Sequence, residues 1–154
     1  MIKKNSRLKK PSNSISLNEV TKSDVEYLYE LLKERDPKAN ISHKKLPSFS
    51  NHKKFVLSKP YKKWYIIIHN NKKIGSIYLS KQDEIGIFLS KNFHEKGIGT
   101  QALDTLIELN PRDRYLANVS PLNLKSENFF KKNNFKLIQY TYELIEDDND
   151  EKQN

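Results

Sequence analysis

Two glycines one residue apart, Gly97 and Gly99, stand directly before a run with helical spacing in the stretch NFHEKGIGTQAL. A glycine has no Cβ atom, so the backbone there can approach a ligand closely. The first N–H groups of a helix have no partner within it, and the helix dipole favours an anion at that end. The spacing therefore predicts a cradle for a phosphate or pyrophosphate, with Lys96 adding positive charge.

Besides an anion cradle, the glycine pair could belong to a plain turn, a P-loop or a dinucleotide-binding fingerprint. A plain tight turn would use the glycines only to relieve crowding. A P-loop is excluded because the pattern GxxxxGK[ST] is absent. Residues 97–102 match the letters of the dinucleotide-binding fingerprint, but that motif follows a first strand directly and opens a series of βαβ units. Here an antiparallel hairpin is predicted before the glycines, which argues against the fingerprint.

The elements that must position the cradle follow from hydrophobic periodicity. Helices are predicted over 21–37, 51–58, 99–110 and 123–134. Strands are predicted over 63–69, 73–80, 83–90, 115–120 and 135–145. The segment 37–50 is expected to be a loop. This alternation of helices and strands indicates an α/β domain with a mixed sheet.

Composition limits the classes of partner. The chain has 154 residues, no cysteine and a formal net charge of +9. The charges of residues 1–10 (+5) and 143–154 (−5) cancel, so the body between them keeps the surplus. A basic body attracts anions such as a nucleotide cofactor, a phosphorylated substrate or nucleic acid. No signal peptide or membrane span is evident, so we expect a cytoplasmic protein with no membrane partner.

Two motifs in this order resemble the GNAT superfamily of acetyl-CoA-dependent N-acetyltransferases. The family's pyrophosphate motif [Q/R]-x-x-G-x-[G/A] corresponds to residues 94–99, with His94 in its first position. A second family motif, N-x-x-[A/S]-x-x-x-[Y/F] with a basic stretch and a closing phenylalanine, corresponds to residues 123–135. The resemblance covers about residues 15–145 and looks closest to small bacterial amino-sugar N-acetyltransferases.

The resemblance implies a GNAT fold. Its central sheet is mixed and mostly antiparallel, splayed between its fourth and fifth strands and flanked by helices. The acetyltransferase domain would span 15–145. A flexible basic arm at 1–14 would precede it, and a disordered acidic tail at 146–154 would follow it.

The resemblance also implies acetyl-CoA as co-substrate and no metal. Pantetheine would lie between the strands at 85–89 and 115–119, with the pyrophosphate on the amides of the glycine motif. The implied cofactor-binding residues are Ile87, Phe88, Leu89, His94, Glu95, Lys96, Gly97, Ile98, Gly99, Thr100, Asn123, Ser126, Phe129 and Lys132.

The implied chemistry is direct attack of a neutral amine on the thioester in a ternary complex. Glu84 resembles the position that some family members use as a base through water. Many members place a tyrosine seven residues after the asparagine of the second motif, where it protonates the departing thiolate. That position is Phe130 here, which has no proton to give.

The acceptor site is expected around 37–58, the hairpin strands and the last strands, with His43, His52, Trp64 and Tyr78 as substrate residues. Aromatic and basic side chains together suit a nucleotide-linked amino sugar. The alternatives are a protein N-terminus, a polyamine, or a basic module that binds CoA or nucleic acid without catalysis. Nucleic acid is disfavoured because the lysines match no known nucleic-acid fold signature. The protein is expected to be a monomer or homodimer.

Overall fold

A computed structural model of the chain describes residues 14–40, 45–94 and 97–146. These residues contain four strands and four α-helices. The strands are β1 (Ile15–Glu19), β2 (Lys63–His69), β3 (Lys72–Leu79) and β4 (Ile85–Leu89). The helices are α1 (Val25–Glu34), α2 (Phe49–Leu57), α3 (Ile98–Leu109) and α4 (Leu124–Lys132). The α/β class predicted from the sequence is confirmed.

The four strands form one antiparallel sheet in the order β1-β2-β3-β4. A two-residue turn joins β2 to β3, and both turn residues, Asn70 and Asn71, have positive φ values of 48° and 60°. Asparagine tolerates this left-handed region better than most residues, and two such residues match the twist of a hairpin. The hairpin predicted from the strands at 63–69 and 73–80 is therefore present, with its strands starting and ending within a residue of the predicted bounds.

Apolar side chains pack on both faces of the sheet. On one face a fully buried group packs against α3, and its least exposed members are Ile67, Ile74, Ile77, Leu79, Ala102 and Leu106. On the other face Ile66 packs with residues of α1 and α2, namely Val25, Leu28 and Val56. The alternation of side chains along β2 sends Ile66 and Ile67 to opposite faces, so a single strand supports both layers.

A capping box begins the first helical stretch. Thr21 accepts a hydrogen bond from the Ser23 N–H, and the Asp24 carboxylate accepts one from the Thr21 N–H at 2.8 Å. Asp24 is buried, and its other oxygen accepts a hydrogen bond from Lys73 Nζ on β3, also at 2.8 Å. Thr21, the first residue of the helix predicted over 21–37, is thus its N-cap. The link to β3 ties the start of α1 to the sheet.

The structure contains an edge strand that the sequence analysis left unassigned. Strand β1 pairs antiparallel with β2 along its whole length, from Ile15 opposite His69 to Glu19 opposite Tyr65. It has five residues, and only Ile15 and Leu17 of its alternating pattern are large and apolar. So short a pattern predicts a strand only weakly, and the segment becomes a strand because it pairs with β2.

The strand predicted over 115–120 is not formed. Leu116 makes an isolated parallel bridge to Glu84, in which the Ile85 N–H donates to the Leu116 carbonyl at 2.7 Å. The bridge ends there, and the segment carries no ladder in the part of the chain described. The predicted sheet splay between the fourth and fifth strands therefore stays a prediction.

The strand predicted over 135–145 is also absent. Residues 136–146 have no regular secondary structure, and the apolar side chains of this segment are exposed. The sequence has strong strand propensity, but a strand requires a partner for its backbone groups, and the described residues supply none. The predicted arm (1–14) and tail (146–154) lie almost entirely outside the described residues. None of the helices in the described ranges has the length and hydropathy to cross a membrane.

The buried Asp24 pair should make stability sensitive to acid. Burial acts to raise the pKa of Asp24, but the hydrogen bonds from Lys73 and Thr21 outweigh it and hold the pKa below its ordinary value. A lowered pKa stabilises the fold above the unfolded-state pKa, and that stability is lost as the pH falls through the folded-state value. We expect Asp24→Asn to lower the free energy of unfolding by about 1–3 kcal/mol at pH 7.

The measurement is urea unfolding at pH 7 and at a pH below the lowered folded-state pKa of Asp24, where the carboxyl is protonated in both the folded and the unfolded state. The variant and the wild-type protein should converge at the lower pH. Glu30→Gln is the matched control, since Glu30 pairs with Lys33 on the exposed surface of α1 and contributes about 0–1 kcal/mol. An equal loss at both pH values would contradict the electrostatic explanation.

Candidate functional site

Helix α3 begins at a left-handed glycine. Gly97 is the N-cap residue, with φ 72° and ψ 1°, and no described side chain caps the helix. A Cβ atom added at Gly97 would meet nothing within 4 Å, so the space beside it is open. The first turn contains no acidic residue. The N–H groups of Ile98, Gly99 and Thr100 therefore begin the helix beside open space, which suits an anion.

Gly99 serves a different purpose from Gly97. It is buried, and a Cβ atom there would lie 2.9 Å from Cε2 of Phe129 and 3.5 Å from Cδ1 of Leu89. Its lack of a side chain allows α3 to approach α4 and the end of β4. Only Gly97 has the open, left-handed geometry expected of a cradle, so the two glycines of the motif have separate physical reasons.

His94, the unusual first residue of the motif, holds the loop to the end of β4. Its Nε2 donates a hydrogen bond to the Leu89 carbonyl at 2.7 Å. Its Nδ1 lies 3.4 Å from Nζ of Lys125 on α4 and accepts from that ammonium. The neutral ring with its proton on Nε2 satisfies both contacts. His94 thus joins β4 to α4 and brings a lysine near the start of α3.

Strand β4 is paired on one edge and open on the other. The backbone N–H and carbonyl groups of the even-numbered residues from Glu84 to Phe88 point toward β3, as the 2.8 Å bond from the Ser80 N–H to the Glu84 carbonyl shows. The backbone groups of the odd-numbered residues therefore point toward the opposite edge of the strand. There Ile85 bonds to Leu116 and the Leu89 carbonyl bonds to His94. Between them, the N–H and carbonyl of Ile87 have no backbone partner in the described structure.

The first turn of α4 lies beside this region. Asn123 is its N-cap, and its side chain accepts a hydrogen bond from the Ser126 N–H at 3.2 Å and donates one to the Ser126 hydroxyl at 3.0 Å. Phe130 is buried and packs edge-on against Phe129 and Phe135. Phe130 is therefore a core residue and supplies no acid to the site.

Most of the sequence-predicted cofactor residues lie at or next to three element ends. These are the end of β4, the start of α3 and the start of α4, which the contacts of His94 and of Phe129 join. Ile98 is buried, Phe88 and Thr100 are half-buried, and Lys132 is exposed in the last turn of α4. Glu95 and Lys96 lie outside the described residues, as does His43 among the predicted acceptor residues.

A cluster of aromatic rings lies on the face of the sheet that also carries α1 and α2. We call it the aromatic cluster; it consists of Phe55, Tyr61, Trp64 and Tyr78. Tyr61 and Tyr78 stack face to face with ring centroids 3.8 Å apart, and Trp64 contacts Tyr61 edge-on at 4.9 Å. The Tyr78 ring and hydroxyl lie directly over Gly86 of β4, where any side chain would collide with them.

The Arg35 guanidinium lies close to the hydroxyls of the aromatic cluster. Burial is the main cause that raises the pKa of the Tyr61 and Tyr78 hydroxyls, while the nearby Arg35 guanidinium acts in the opposite direction on both. Arg35 donates one bond to the Ala39 carbonyl at 3.0 Å, but its Nε is buried without a partner in the described structure. Trp64 Nε1 is likewise buried and unpaired.

Glu84 lies near this cluster. Its carboxylate accepts a hydrogen bond from the Ser80 hydroxyl at 3.4 Å, and its charge contributes to the raised pKa of Tyr78. It precedes β4 and takes part in the bridge to Leu116. The predicted base is therefore half-buried at the end of β4 that is opposite the His94 contact.

His52 occupies a different environment from Trp64 and Tyr78. It is buried between α1 and α2, its Nε2 lies 3.0 Å from the Val25 carbonyl, and its ring contacts Tyr29 and Phe49. Burial lowers its pKa, so the ring is held neutral, and the bond to Val25 acts in the opposite direction. The structure thus places His52 in a helix-to-helix contact, apart from the other substrate residues predicted from the sequence.

Sequence reasoning missed Tyr61 and Arg35. Tyr61 precedes β2 in a turn, and Arg35 follows the last residue of α1. Neither position shows a periodic signal, since their approach to Tyr78 depends on the packing of α1 against the sheet. The described residues contain no group of His, Cys, Asp or Glu that could hold a metal ion.

Comparison with known proteins identifies a matching family model. The acetyltransferase (GNAT) family matches residues 25–135. None of the curated proteins that were compared matches the chain.

Several solved structures share the fold. A domain from Methanocaldococcus jannaschii DSM 2661 has a TM-score of 0.73 and 23% identity, covering 85% of this chain and 94% of that chain. RimL, a ribosomal L7/L12 α-N-protein acetyltransferase in complex with coenzyme A, has a TM-score of 0.67 and 20% identity, covering 82% of each chain. AAC(6')-Ib in complex with paromomycin and acetyl-CoA has a TM-score of 0.61 and 23% identity, covering 78% of this chain and 81% of that chain.

The cradle can be tested with two substitutions at Gly97. Asparagine and aspartate have nearly the same shape and both tolerate a left-handed backbone, so they differ mainly in charge. If the start of α3 holds a pyrophosphate, Gly97→Asp should weaken coenzyme A binding by about 100-fold or more. Two like charges about 4 Å apart near a protein surface repel by roughly 4 kcal/mol.

Gly97→Asn is the matched control and should weaken binding only a few-fold. Titration calorimetry with coenzyme A gives both affinities. Equal affinities for the two variants would show that no anion lies at Gly97. Gly99 is a poorer test position, because any side chain there would also displace Phe129.

Proposed function

The chain belongs to the acetyltransferase (GNAT) family and is an N-acetyltransferase that uses acetyl-CoA. From this premise we propose that its acceptor is the primary amine of a small molecule with an anionic, nucleotide-linked part, such as an amino sugar. The observation that carries the cofactor assignment is the open, left-handed start of α3 at Gly97. The aromatic cluster with Arg35 supports the acceptor class.

In this proposal acetyl-CoA binds along the open edge of β4. Its pyrophosphate lies on the first N–H groups of α3, and Lys125 adds a positive charge nearby. The pantetheine amides pair with the N–H and carbonyl of Ile87, which lack other backbone partners. Leu89, also predicted to bind the cofactor, is less available for such pairing because its carbonyl already accepts a hydrogen bond from His94. The splayed sheet would make room for the chain of the cofactor.

The reaction is acyl transfer by direct attack. The neutral amine nitrogen bonds to the thioester carbon, the C–S bond breaks, and the products are an N-acetyl amine and the free thiol of CoA. The nitrogen loses one proton and the thiolate gains one. Glu84 accepts the amine proton through water, as its half-buried place at the start of β4 allows.

Tyr78 supplies the proton for the thiolate, since Phe130 stands where many family members have a proton-donating tyrosine. Its hydroxyl lies over Gly86, next to the backbone that would hold the thioester. A tyrosine hydroxyl is protonated at neutral pH, and burial raises the pKa of Tyr78 further, so it enters the reaction with a proton to give. Gly86 is then required by the mechanism, since any side chain there would push the hydroxyl away.

The acceptor would lie against the aromatic cluster. A nucleotide base can stack on the exposed ring of Phe55, and the Arg35 guanidinium, whose hydrogen-bonding capacity is not filled in the described structure, can pair with a phosphate oxygen. A sugar amine has a lower pKa than a lysine amine, so a larger part of it is neutral and ready to attack. These properties agree with a site that has one weak carboxylate base.

Two other classes of acceptor, a protein N-terminus and a polycationic amine, are the alternatives to this proposal. RimL acts on the N-terminus of a ribosomal protein, and AAC(6')-Ib binds paromomycin, but identities of 20% and 23% carry only the fold to this chain. A polyamine or an aminoglycoside is a polycation and would be repelled by a body with a net charge of +9. A protein N-terminus carries no such penalty.

The test of the acceptor is release of free thiol from acetyl-CoA. Four amines of matched concentration are compared: a nucleotide-linked amino sugar, the free amino sugar, a polyamine and a peptide with a free N-terminus. We expect the nucleotide-linked sugar to react fastest. Arg35→Gln should raise its KM about tenfold and leave the KM of the free sugar unchanged, because only the first carries phosphate.

Lys33→Gln is the control for Arg35→Gln, since Lys33 is a basic residue on the exposed face of α1, the helix that Arg35 directly follows. A faster reaction with the peptide would replace the sugar by a protein acceptor. No thiol release with any amine, combined with intact coenzyme A binding, would mean a cofactor-binding module without catalysis.

The proton-donor role predicts a specific effect of Tyr78→Phe. It should lower kcat by about 100-fold with little change in the KM for acetyl-CoA, because general acid catalysis is lost and the ring is kept. Tyr27→Phe is the matched control, since Tyr27 is a half-buried tyrosine outside the aromatic cluster and its hydroxyl has no hydrogen-bond partner in the described structure. A similar loss of kcat in both variants, or in neither, would contradict the assignment.

A further inference from the structure

The segment 136–145, called here the C-terminal segment, extends from the domain without a partner. The last backbone hydrogen bond before it runs from the Phe135 N–H to the Phe130 carbonyl at 2.9 Å. Within the described structure its own backbone makes no hydrogen bonds. Its large apolar side chains are among the most exposed described: Leu137 66%, Ile138 70%, Tyr140 74%, Tyr142 90%, Leu144 89% and Ile145 71%.

The pattern of the C-terminal segment is that of a strand with one apolar face. In an extended chain, alternate residues share a face, so Ile138, Tyr140, Tyr142 and Leu144 lie together. Large exposed apolar patches mark interaction sites. Aromatic and β-branched residues also favour strands. The segment therefore has the backbone and the side chains to add to the edge of a sheet.

Residues 115–119 of the same chain present an open strand edge with which such a segment can pair. Residues 115–119 are held to β4 only by the bridge at Leu116. The N–H and carbonyl groups of Leu116 face β4, so those of the adjacent residues Tyr115 and Ala117 face the opposite way. No described backbone group pairs with them on that side. An open edge of this kind readily takes up another strand.

We propose that two copies of this chain exchange their C-terminal segments, each adding a strand to residues 115–119 of the other copy. One chain carries both the strand and the edge, so a reciprocal exchange closes with two-fold symmetry and leaves neither unpaired. The exchanged strand would cover its apolar face on the partner. This proposal does not depend on the identity of the amine acceptor.

Charge favours a second copy of the same chain as the occupant. Residues 143–154 carry a net charge of −5, and the remainder of the chain carries +14. The acidic end of each copy would therefore be attracted by the basic body of the other. An anionic membrane or an acidic protein would bind the body but would be repelled by the residues that follow the segment.

The exchange would complete the acetyl-CoA site. Residues 115–119 form the wall opposite β4 in the proposed cofactor gap, and one bridge is little support for that wall. A strand from the partner would fix it. The protein would then bind acetyl-CoA well only as a dimer, and its specific activity would rise with protein concentration.

The first test is the mass of the wild-type protein in solution. Sedimentation at about 1 to 100 μM should give about twice the 18.2 kDa of one chain at the upper end. Tyr140→Asp/Tyr142→Asp should give a monomer with an unchanged circular dichroism spectrum, because these side chains make no contact in the monomer. Leu57→Asp/Leu109→Asp is the control; it charges two exposed leucines elsewhere and should stay dimeric.

The second test identifies the segment that is exchanged. The chain has no cysteine, so introduced cysteines are the only thiols. In Ala117→Cys/Tyr140→Cys, oxidation should yield a covalent dimer on a non-reducing gel, with Ile138→Cys or Tyr142→Cys in place of Tyr140→Cys to cover the neighbouring registers. A covalently closed monomer would mean that the segment folds back on its own chain and would overturn the proposal.

A wild-type protein that stays monomeric throughout the concentration range would also overturn the exchange. So would a monomer that binds anionic lipid vesicles through Tyr140 and Tyr142, because the occupant would then be a membrane. Loss of acetyl-CoA turnover alone would not count in either direction, since the mass and the cross-link are measured without substrate. Failure of the exchange and failure of the proposed function are therefore separate results.

Discussion

Strand β4 is hydrogen-bonded along one edge and largely open along the other, and the site depends on this constraint. Backbone N–H and carbonyl groups in a protein interior require partners. One end of the open edge is satisfied by Leu116 and the other by the His94 side chain. The groups of Ile87 remain between them, and in the proposed site the amides of a bound pantetheine would pair with them. The His94 contact would then limit where the cofactor is free to pair.

The glycines near β4 follow from three different requirements. Gly97 adopts a left-handed conformation beside open space, Gly99 allows the ring of Phe129 to come close, and Gly86 lies under the ring of Tyr78. Only the first would concern a bound anion directly. The other two allow an aromatic ring to pack against backbone, on opposite faces of β4. The family motif treats Gly97 and Gly99 alike, although each is a glycine for a different physical reason.

The exposed C-terminal segment and the weakly held residues 115–119 are two aspects of one problem. Each has backbone groups without partners, and each lies where the sequence analysis expected a strand. An exchange between two copies would restore both strands without any change in the sequence interpretation. The predicted propensities would then be right about the strands, and only the chain that pairs with each would differ.

The sequence by itself determined the helices, the hairpin and the glycine motif, because these depend on local spacing, capping and backbone freedom. Thr21 and its capping box, the turn at Asn70 and Asn71, and the start of α3 were all within reach of short-range rules. The family resemblance then gave the cofactor, which the family match supports. Only the tertiary structure decided β1, the placement of His52 between helices, and the approach of Arg35 and Tyr61 to Tyr78. These depend on contacts between residues far apart in the chain, and the free energy of such contacts is set by packing, which no local pattern records.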